Sequence, residues 1–350
     1  MTKPLVDFGR PTLLWRRWGF SVNVDRRLAA VCTVLCGLAI ALGVGCLMLG
    51  DFPLSLGEVL RVLTGGEHGF PATVVLQWRA PRVVAALVLG AAFGVAGAIF
   101  QSLTRNPLAS PDVVGFATGS YTGALVVLSW VSTGYATVAL GSLGGGLLTA
   151  FVVFALSQGG RRPGLRFILV GIAVSAMLSS VNSWLLLIAT HDLAATAAVW
   201  GAGSLNAIGW SQTGTATAVI AVLLLGAALL APGLRQLELG EDTAAALGVP
   251  AARTRALLIL VGVGLTAAAT AAAGPIAFVA LVAPQIGRRL VKGAGTPLLP
   301  AAATGALLLL AADAVAQHVL PVSLPVGVVT VVIGGGYLVW LLVAEARRRL

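Results

Sequence analysis

The sequence contains little charge: Asp, Glu, Lys and Arg together make up 10% of its 350 residues, whereas a soluble domain carries about 25%. A chain with so few charged side chains cannot cover a water-facing surface. Instead, 58% of the residues are hydrophobic and the mean hydropathy is +0.98. Apolar runs of about 20 residues recur, each long enough to cross a hydrocarbon core of roughly 30 Å. The composition therefore excludes a soluble globular fold and predicts an all-α polytopic membrane protein.

Residue types that carry out chemistry are also scarce. The two lysines, Lys3 and Lys292, lie outside any G-x-x-x-x-G-K-[ST] phosphate loop, and no H-E-x-x-H zinc motif occurs. The three cysteines, Cys32, Cys36 and Cys46, all fall in the first apolar run. A metal or redox pair at Cys32 and Cys36 is conceivable, but packing of small polarizable side chains explains them better. Because clustered catalytic groups are missing, the sequence predicts no enzyme and no directly bound metal or cofactor.

Ten apolar runs predict ten membrane spans, which together form one transmembrane domain, residues 28–344. A basic segment, residues 1–27, precedes this domain, and a short basic tail, residues 345–350, follows it. An even number of spans places both ends of the chain on the same side of the membrane. The approximate bounds of the spans are 28–50, 82–103, 113–132, 136–157, 166–189, 210–231, 256–273, 276–290, 298–316 and 325–344.

The distribution of basic residues decides the orientation. With the N-terminus in the cytoplasm, 19 of the 22 lysine and arginine residues fall in inner segments, and only Arg61, Arg79 and Arg82 fall outside. This asymmetry follows the positive-inside rule and predicts an N-in, C-in topology. The net charge of +10 thus reflects membrane orientation, and we expect the protein to contact membrane lipid and no nucleic acid.

Acidic residues are nearly absent from the predicted spans, and Asp313 is the one carboxylate placed inside one. An intramembrane acid is a candidate functional residue, although its position near the outer end also suits snorkelling or a bond to a neighbouring helix. A carrier driven by an ion gradient usually has buried acids or histidines near the midplane. Their scarcity favours a transport pathway that is powered by a separate polypeptide.

A short charged stretch, "LELGEDTAAALGVP" (residues 237–250), interrupts the apolar sequence on the cytoplasmic side. Gly240 suits an N-cap, and Glu241 and Asp242 complement the positive end of a helix. Gly248 suits a left-handed position after the helix. The stretch predicts about two turns of helix outside the membrane, with a further turn before the next span. Because so short a helix is marginal alone, we expect it to bind a partner, although an ordinary capped loop remains an alternative.

Several motifs in the same order resemble one family. "LELGEDTAAALGV" is similar to the L-x-L-G-E-x-x-A-x-x-L-G motif of permease subunits of bacterial ABC importers for iron-siderophores, haem and vitamin B12. "WRAPRVVAALVLGAAFGVAGAIFQSLTRNPLASPDVVGFATGSYTGA", "WGAGSLNAIGW", "AGPIAFVALVAPQIGRRL" and "LPVGVVTVVIGGGYLVWLL" resemble further segments, so the resemblance runs from about Trp78 to the C-terminus. The family-motif residues are Gln101, Asn106, Pro107, Pro111, Gly115, Pro284 and Asp313.

The resemblance implies a type II ABC importer permease fold with ten transmembrane helices, in which two permeases pair around a central path. It implies that two ATPase subunits or domains hydrolyse ATP and that a cytoplasmic coupling helix docks on them. The residues of this chain that match the coupling motif are Gly240, Glu241, Ala244, Leu247 and Gly248, and the coupling helices would occupy about residues 238–255.

The resemblance also implies outer contacts with a substrate-binding protein or lipoprotein. The arginines of its R-x-P-R motif, here Arg79 and Arg82, would meet acidic residues of that protein, and Arg61 is a weaker candidate. Anchoring to lipid headgroups is the alternative for these arginines. The fifth span carries a polar stripe that would lie close to the central path, although bonding between helices explains it equally well. The stripe consists of Ser175, Ser179, Asn182 and Ser183.

The chain departs from the family pattern at several positions. It has Pro284-Gln285 where the family often has Pro-His, and Gln317 where an arginine is common nearby. Ser323-Leu324-Pro325 replaces a Glu-Leu-Pro, and Gly334-Gly335-Gly336 replaces a Gly-Ala-Pro. The missing arginine and glutamate favour pairing with a different permease, as a heterodimer.

The last motifs are most similar to permeases of the ferric-enterobactin type. We therefore expect a ferric siderophore importer in a bacterial inner or plasma membrane. Corrinoid or haem import is the nearest alternative, a carrier driven by an ion gradient is less favoured, and a membrane enzyme is disfavoured.

Overall fold

The computed structural model describes residues 12–17, 20–112, 114–132, 134–157, 163–206, 208–292, 297–319 and 322–349. The basic pair Arg161 and Arg162, which contributes to the predicted topology, lies outside the described residues, as do parts of both predicted terminal segments.

The described chain is helical apart from one hairpin and the connecting loops. A π-helical stretch, Val74–Arg79, joins α3 to α4, so that these elements run on as one helix, Phe70–Thr104. The helices are α1 (Arg26–Met48), α2 (Leu56–Leu63), α3 (Phe70–Thr73), α4 (Ala80–Thr104), α5 (Phe116–Trp130), α6 (Tyr135–Ser157), α7 (Pro163–Ile188), α8 (His191–Gly201), α9 (Trp210–Glu238), α10 (Glu241–Ala246), α11 (Ala251–Ala273), α12 (Val279–Val291), α13 (Leu298–His318) and α14 (Val326–Arg349).

A helix stands at each of the ten predicted spans, and the predicted all-α class is confirmed. Within the described residues, seven helices are long and apolar enough to cross a membrane. By contrast, α5 has 15 residues and α12 has 13. At 1.5 Å per residue they rise only about 20 Å, which is less than a hydrocarbon core of roughly 30 Å. These two helices therefore cover only part of the thickness of the membrane.

A two-stranded hairpin precedes α1, and the sequence analysis did not predict it. Strand β1 (Thr12–Arg17) pairs antiparallel with β2 (Phe20–Asp25), with Thr12 opposite Asp25. The alternation of apolar and polar residues in "FSVNVD" is the signal that indicates a strand here.

Glycines let α4 approach its neighbours until backbones touch. A Cβ atom added at Gly90, Gly94 or Gly97 would lie 2.3, 2.1 or 1.7 Å from a carbonyl oxygen of α13 or α12. Such close approach is typical of helix packing in lipid, where small residues form the interface. It places α4 at the centre of the bundle, between α13 and α12, with α9 and α11 also packed against it.

The short helices α5 and α12 both begin where the chain adopts a left-handed conformation. Gly115 (φ 88°) precedes α5, and Phe278 (φ 69°) precedes α12. A Cβ at Gly115 would lie 3.0 Å from the Cβ of Ser175, which is in the middle of α7. The connection between α4 and α5 therefore enters the bundle, and non-helical backbone at this depth is found where it is buried or lines a cavity.

Candidate functional site

The predicted coupling segment, residues 237–250 (below, the coupling segment), folds as its capping residues predict. Gly240 (φ 128°) precedes the six-residue helix α10, and Gly248 (φ 84°) follows it. Ala244 is fully buried and packs with the end of α9, whereas Leu247 is 57% exposed. The helix is thus held against the bundle by its alanine while its leucine faces outward.

The two acidic residues of α10 lie in different surroundings. Glu241 accepts a hydrogen bond at 2.7 Å from Nη1 of Arg255, near the start of α11, and the two side chains form an ion pair. Asp242 is exposed, and no described residue forms an ion pair with it. Glu241 therefore braces the segment from within, and Asp242 presents a carboxylate to the surroundings.

The coupling segment is also tied to the end of α4. The hydroxyl of Ser102 donates to the carboxylate of Glu238, and Nη2 of Arg105 donates to the carbonyl oxygen of Leu237 at 3.2 Å. A cleft of about 360 Å³ lies between this end of α4 and α10. The sequence analysis did not single out these contacts because more than 130 residues separate the partners.

Two glutamines join α4, α12 and the loop between α4 and α5. Nε2 of Gln101 donates to the carbonyl oxygen of Leu281 at 2.9 Å, and Nε2 of Gln285 donates to that of Pro107 at 2.8 Å. Asn106 turns the loop by accepting the amide of Leu108 through its side chain. Gln285, at the position where the family often has histidine, thus has a bonding role within the fold.

The remaining family-motif residues lie around this junction. Pro284 stands inside α12, one residue before Gln285. The carbonyl oxygen of Pro111 accepts the amide of Phe116, where α5 begins after Gly115.

Three of the four predicted path residues line one cavity of about 370 Å³, namely Ser179, Asn182 and Ser183. The fourth, Ser175, is not among the lining residues, but its hydroxyl is 3.1 Å from that of Thr118 on α5, which does line the cavity. Asn182 is buried, but Ser179 and Ser183 are exposed on α7. Exposed polar side chains are unusual on a membrane helix unless they face water or a protein partner.

Asp112 lines the same cavity, and the sequence analysis missed it. Its carboxylate oxygens are buried and faced by the backbone amide of Phe278, but no described donor makes a hydrogen bond of ordinary geometry with them. By sequence alone Asp112 belongs to a loop, directly before the third predicted span. The structure shows that this loop lies inside the bundle, so Asp313 is not the only intramembrane carboxylate.

The outer arginines of α4 and its π-helical extension are engaged within the chain. Nη1 and Nη2 of Arg79 donate to the carbonyl oxygens of Leu47 and Phe52 at 2.8 and 2.7 Å. Nε and Nη2 of Arg82 donate to the two carboxylate oxygens of Asp313 at 2.8 and 2.7 Å. The side chains of this pair are 19% and 7% exposed. Asp313 therefore bonds to a neighbouring helix, which is one of the two alternatives that its position suggested.

Polar residues extend the ion pair along the outer surface. Arg82 also donates to the side-chain oxygen of Asn206 at 2.8 Å, and Gln317 donates to the same oxygen at 2.9 Å. Gln317 is the position near which the family often has an arginine. Here an amide, rather than a second cation, completes the cluster.

Arg61 lies on α2, outside the bundle. Ser55 and Glu58 cap this helix reciprocally, and the hydrogen bonds from Ser55 lower the pKa of the Glu58 carboxyl. The Arg61 side chain is 62% exposed, and its Nε is 3.6 Å from Glu67. Of the three predicted docking arginines, Arg61 is therefore the one with an accessible guanidinium.

Comparison with known proteins confirms the resemblance. Residues 38–344 match the model of the FecCD transport family. The ferric enterobactin transport system permease protein FepG of Escherichia coli is 47% identical over 329 residues, covering 94% of this chain and all of that protein. FepD, the other ferric enterobactin permease of E. coli, is 36% identical and covers 93% of this chain and 98% of its own length.

A solved structure agrees with this assignment. A metal-chelate type ABC transporter in an inward-facing conformation superimposes with a TM-score of 0.77 at 27% identity, over 90% of this chain and 99% of that one. The cobalamin import permease BtuC of Halobacterium salinarum is 34% identical, over 79% of this chain and 76% of its own. From its motifs, its helices and these relatives, the chain belongs to the FecCD transport family.

Proposed function

We propose that this multi-pass membrane protein is the permease subunit of an ATP-driven importer that carries a ferric siderophore across the bacterial inner or plasma membrane. The observation that carries the proposal is the 47% identity to FepG over the full length of that protein. Relatives named for achromobactin and ferric dicitrate transport support the same substrate class. In this proposal the iron complex is the cargo rather than a resident group of the chain.

ATP hydrolysis belongs to two partner ATPase subunits or domains, and α10 is the element that receives their movement. Leu247 and Asp242 form the contact surface, because they are exposed at opposite ends of α10. Glu241 and Ala244 act from within, since one is paired with Arg255 and the other is buried. The coupling motif therefore contains residues that contact the ATPase and residues that hold α10 against the rest of the permease.

The path for the siderophore runs along the cavity beside α7. Ser179 and Ser183 of the polar stripe are exposed on this side of the chain. A second permease would therefore complete the wall of the path. A related but different permease suits this role, because both FepG and FepD of E. coli resemble this chain. A binding protein delivers the cargo from outside. Of the three outer arginines, Arg61 is the most accessible to it, whereas Arg79 and Arg82 stabilise the surrounding surface through their bonds within the chain.

Uptake of radiolabelled iron(III)-siderophores, including a catecholate, tests the proposal. Cells lacking the protein should lose uptake, and the wild-type gene should restore it. Normal uptake of every tested siderophore by the deletion strain would overturn the iron assignment. Corrinoid and haem uptake by the same strain are the next assays in that case.

Leu247→Glu tests the docking face in the same strain. The charge would be desolvated in an apolar contact, so the variant should lose association with the ATPase and restore no uptake. Glu241→Gln, which leaves that face unchanged, is the control and should retain association. Equal association of both variants would contradict the division of roles.

A further inference from the structure

An apolar groove of about 390 Å³ opens between α1, α9 and α13. Its floor is buried: Val95, Ala227 and Leu234 are all 3% exposed or less. Its rim includes Leu28 and Leu299, the second of which is 64% exposed. All of its lining residues but one are apolar, so the groove offers a hydrocarbon surface and little else.

The exception is Arg235, in the last turn of α9. It is exposed, and no described carboxylate forms an ion pair with it. Leu28 on the rim directly follows Arg26 and Arg27, so further positive charge stands near the same end. The charge distribution assigns this end to the cytoplasmic side. The groove is thus apolar along its length and cationic where the membrane meets water.

We infer that this groove binds an anionic phospholipid of the inner leaflet, with one acyl chain along the groove and the phosphate at Arg235. An apolar groove that faces hydrocarbon is filled by an apolar chain in preference to water. A basic group between helices at the cytoplasmic side binds anionic headgroups. The inference concerns the lipid contacts of the chain and stands independently of the cargo.

Photolabelling tests the site in the full-length protein, purified with the subunits that accompany it and reconstituted in nanodiscs. The probe is phosphatidylglycerol with a diazirine on its acyl chain, compared with the matched phosphatidylcholine. We expect phosphatidylglycerol to label peptides containing residues 224–235 or 297–302. One basic residue near the surface contributes about 1 kcal/mol, so Arg235→Gln should lower this labelling about fivefold.

Two further variants make the result specific. Arg253→Gln removes an exposed arginine of α11 on the same side of the membrane and should leave labelling unchanged. Ala231→Phe fills the groove and should reduce labelling by both lipids. Unchanged labelling in Arg235→Gln, equal labelling by the two lipids, or no labelling of the groove because a protein subunit covers it would overturn the inference.

Discussion

At the scale of single residues, the outer arginines differ in what surrounds their guanidinium groups. Arg61 lies in solvent beside Glu67, whereas Arg79 holds two backbone carbonyls and Arg82 holds a carboxylate. A charge that is paired inside a protein leaves its partner uncompensated when it is removed. Arg79 and Arg82, the arginines of the R-x-P-R motif, therefore stabilise the outer end of the bundle through contacts within the chain, independently of any contact with a partner protein.

Asp313→Ala should lower the free energy of unfolding by about 3 kcal/mol, because it leaves the largely buried Arg82 without its carboxylate. The measurement is the thermal unfolding midpoint of the detergent-solubilised protein. Arg61→Ala removes an exposed pair and should change the midpoint little. If both variants shift the midpoint equally, the pair between Arg82 and Asp313 has no special structural role.

The pairing of Arg82 with Asp313 could not be read from the sequence. The two residues are 231 positions apart, and no pattern in the sequence around either one indicates the other as its partner. Asp112 was missed for a related reason, since a polar residue beside Pro111 and Gly115 reads as a surface loop. Only the folding of that loop into the bundle brings Asp112 to the same cavity as Asn182.

At the scale of elements, some pairs of helices contact each other through side chains and others through backbone atoms. Gly97 of α4 lies directly against the carbonyl oxygen of Ala280 on α12. Gly37 of α1 has open space where a Cβ would be. Both glycines lie inside apolar helices, but only Gly97 is required by the distance between two helices.

Gly97→Ala should therefore destabilise the protein, because its Cβ would lie 1.7 Å from that oxygen unless α12 moves away. Gly37→Ala should be neutral or slightly stabilising, since alanine favours a helix interior by roughly 0.5–1 kcal/mol over glycine. Fluorescence-detected size exclusion after heating compares the two. Equal tolerance of both changes would mean that α4 and α12 separate at little cost.

Element positions were the most predictable feature, because a run of apolar residues long enough to cross a membrane is a strong signal. The capping of α10 was predictable too, since Gly240 and Gly248 mark its ends. The shortness of α12 was already present in the bounds of its predicted span, residues 276–290. The shortness of α5 was not predicted, because the apolar sequence of its span, residues 113–132, continues beyond the helix. A glycine or phenylalanine in a left-handed conformation, rather than a change in hydropathy, sets where α5 and α12 begin.

At the scale of the whole molecule, the coupling segment and the centre of the bundle form one connected unit. Ser102 and Arg105 link α4 to the end of α9, and Glu241 links α10 to α11. Gln101 and Gln285 continue the connection to α12 and to the loop that carries Asp112. A displacement of α10 therefore has a bonded route to the loop that lines the cavity beside α7.

Ser102→Ala combined with Arg105→Ala should uncouple transport from ATP hydrolysis, because the end of α9, which leads into α10, would lose its bonds to α4 while α10 kept its exposed docking residues. Proteoliposomes containing the complete importer give both rates, and we expect the ratio of cargo moved to ATP hydrolysed to fall about tenfold, the effect of roughly 1.4 kcal/mol. Thr104→Val is the control, since among the described residues that hydroxyl donates to Phe100 of its own helix and to no other element. A ratio equal to that of the wild type would show that movement reaches the path by another route.

The glycine contacts between α4 and α13 limit how the protein can move. Gly90 and Gly305 each lie against the carbonyl group of the other, and Gly94 lies against Ala301. Sliding either helix by one residue would push side chains into these carbonyls, so this crossing permits a single register. We therefore expect α4 and α13 to move together as one body, and we expect any sliding or opening to occur where side chains, rather than backbones, make the contact between helices.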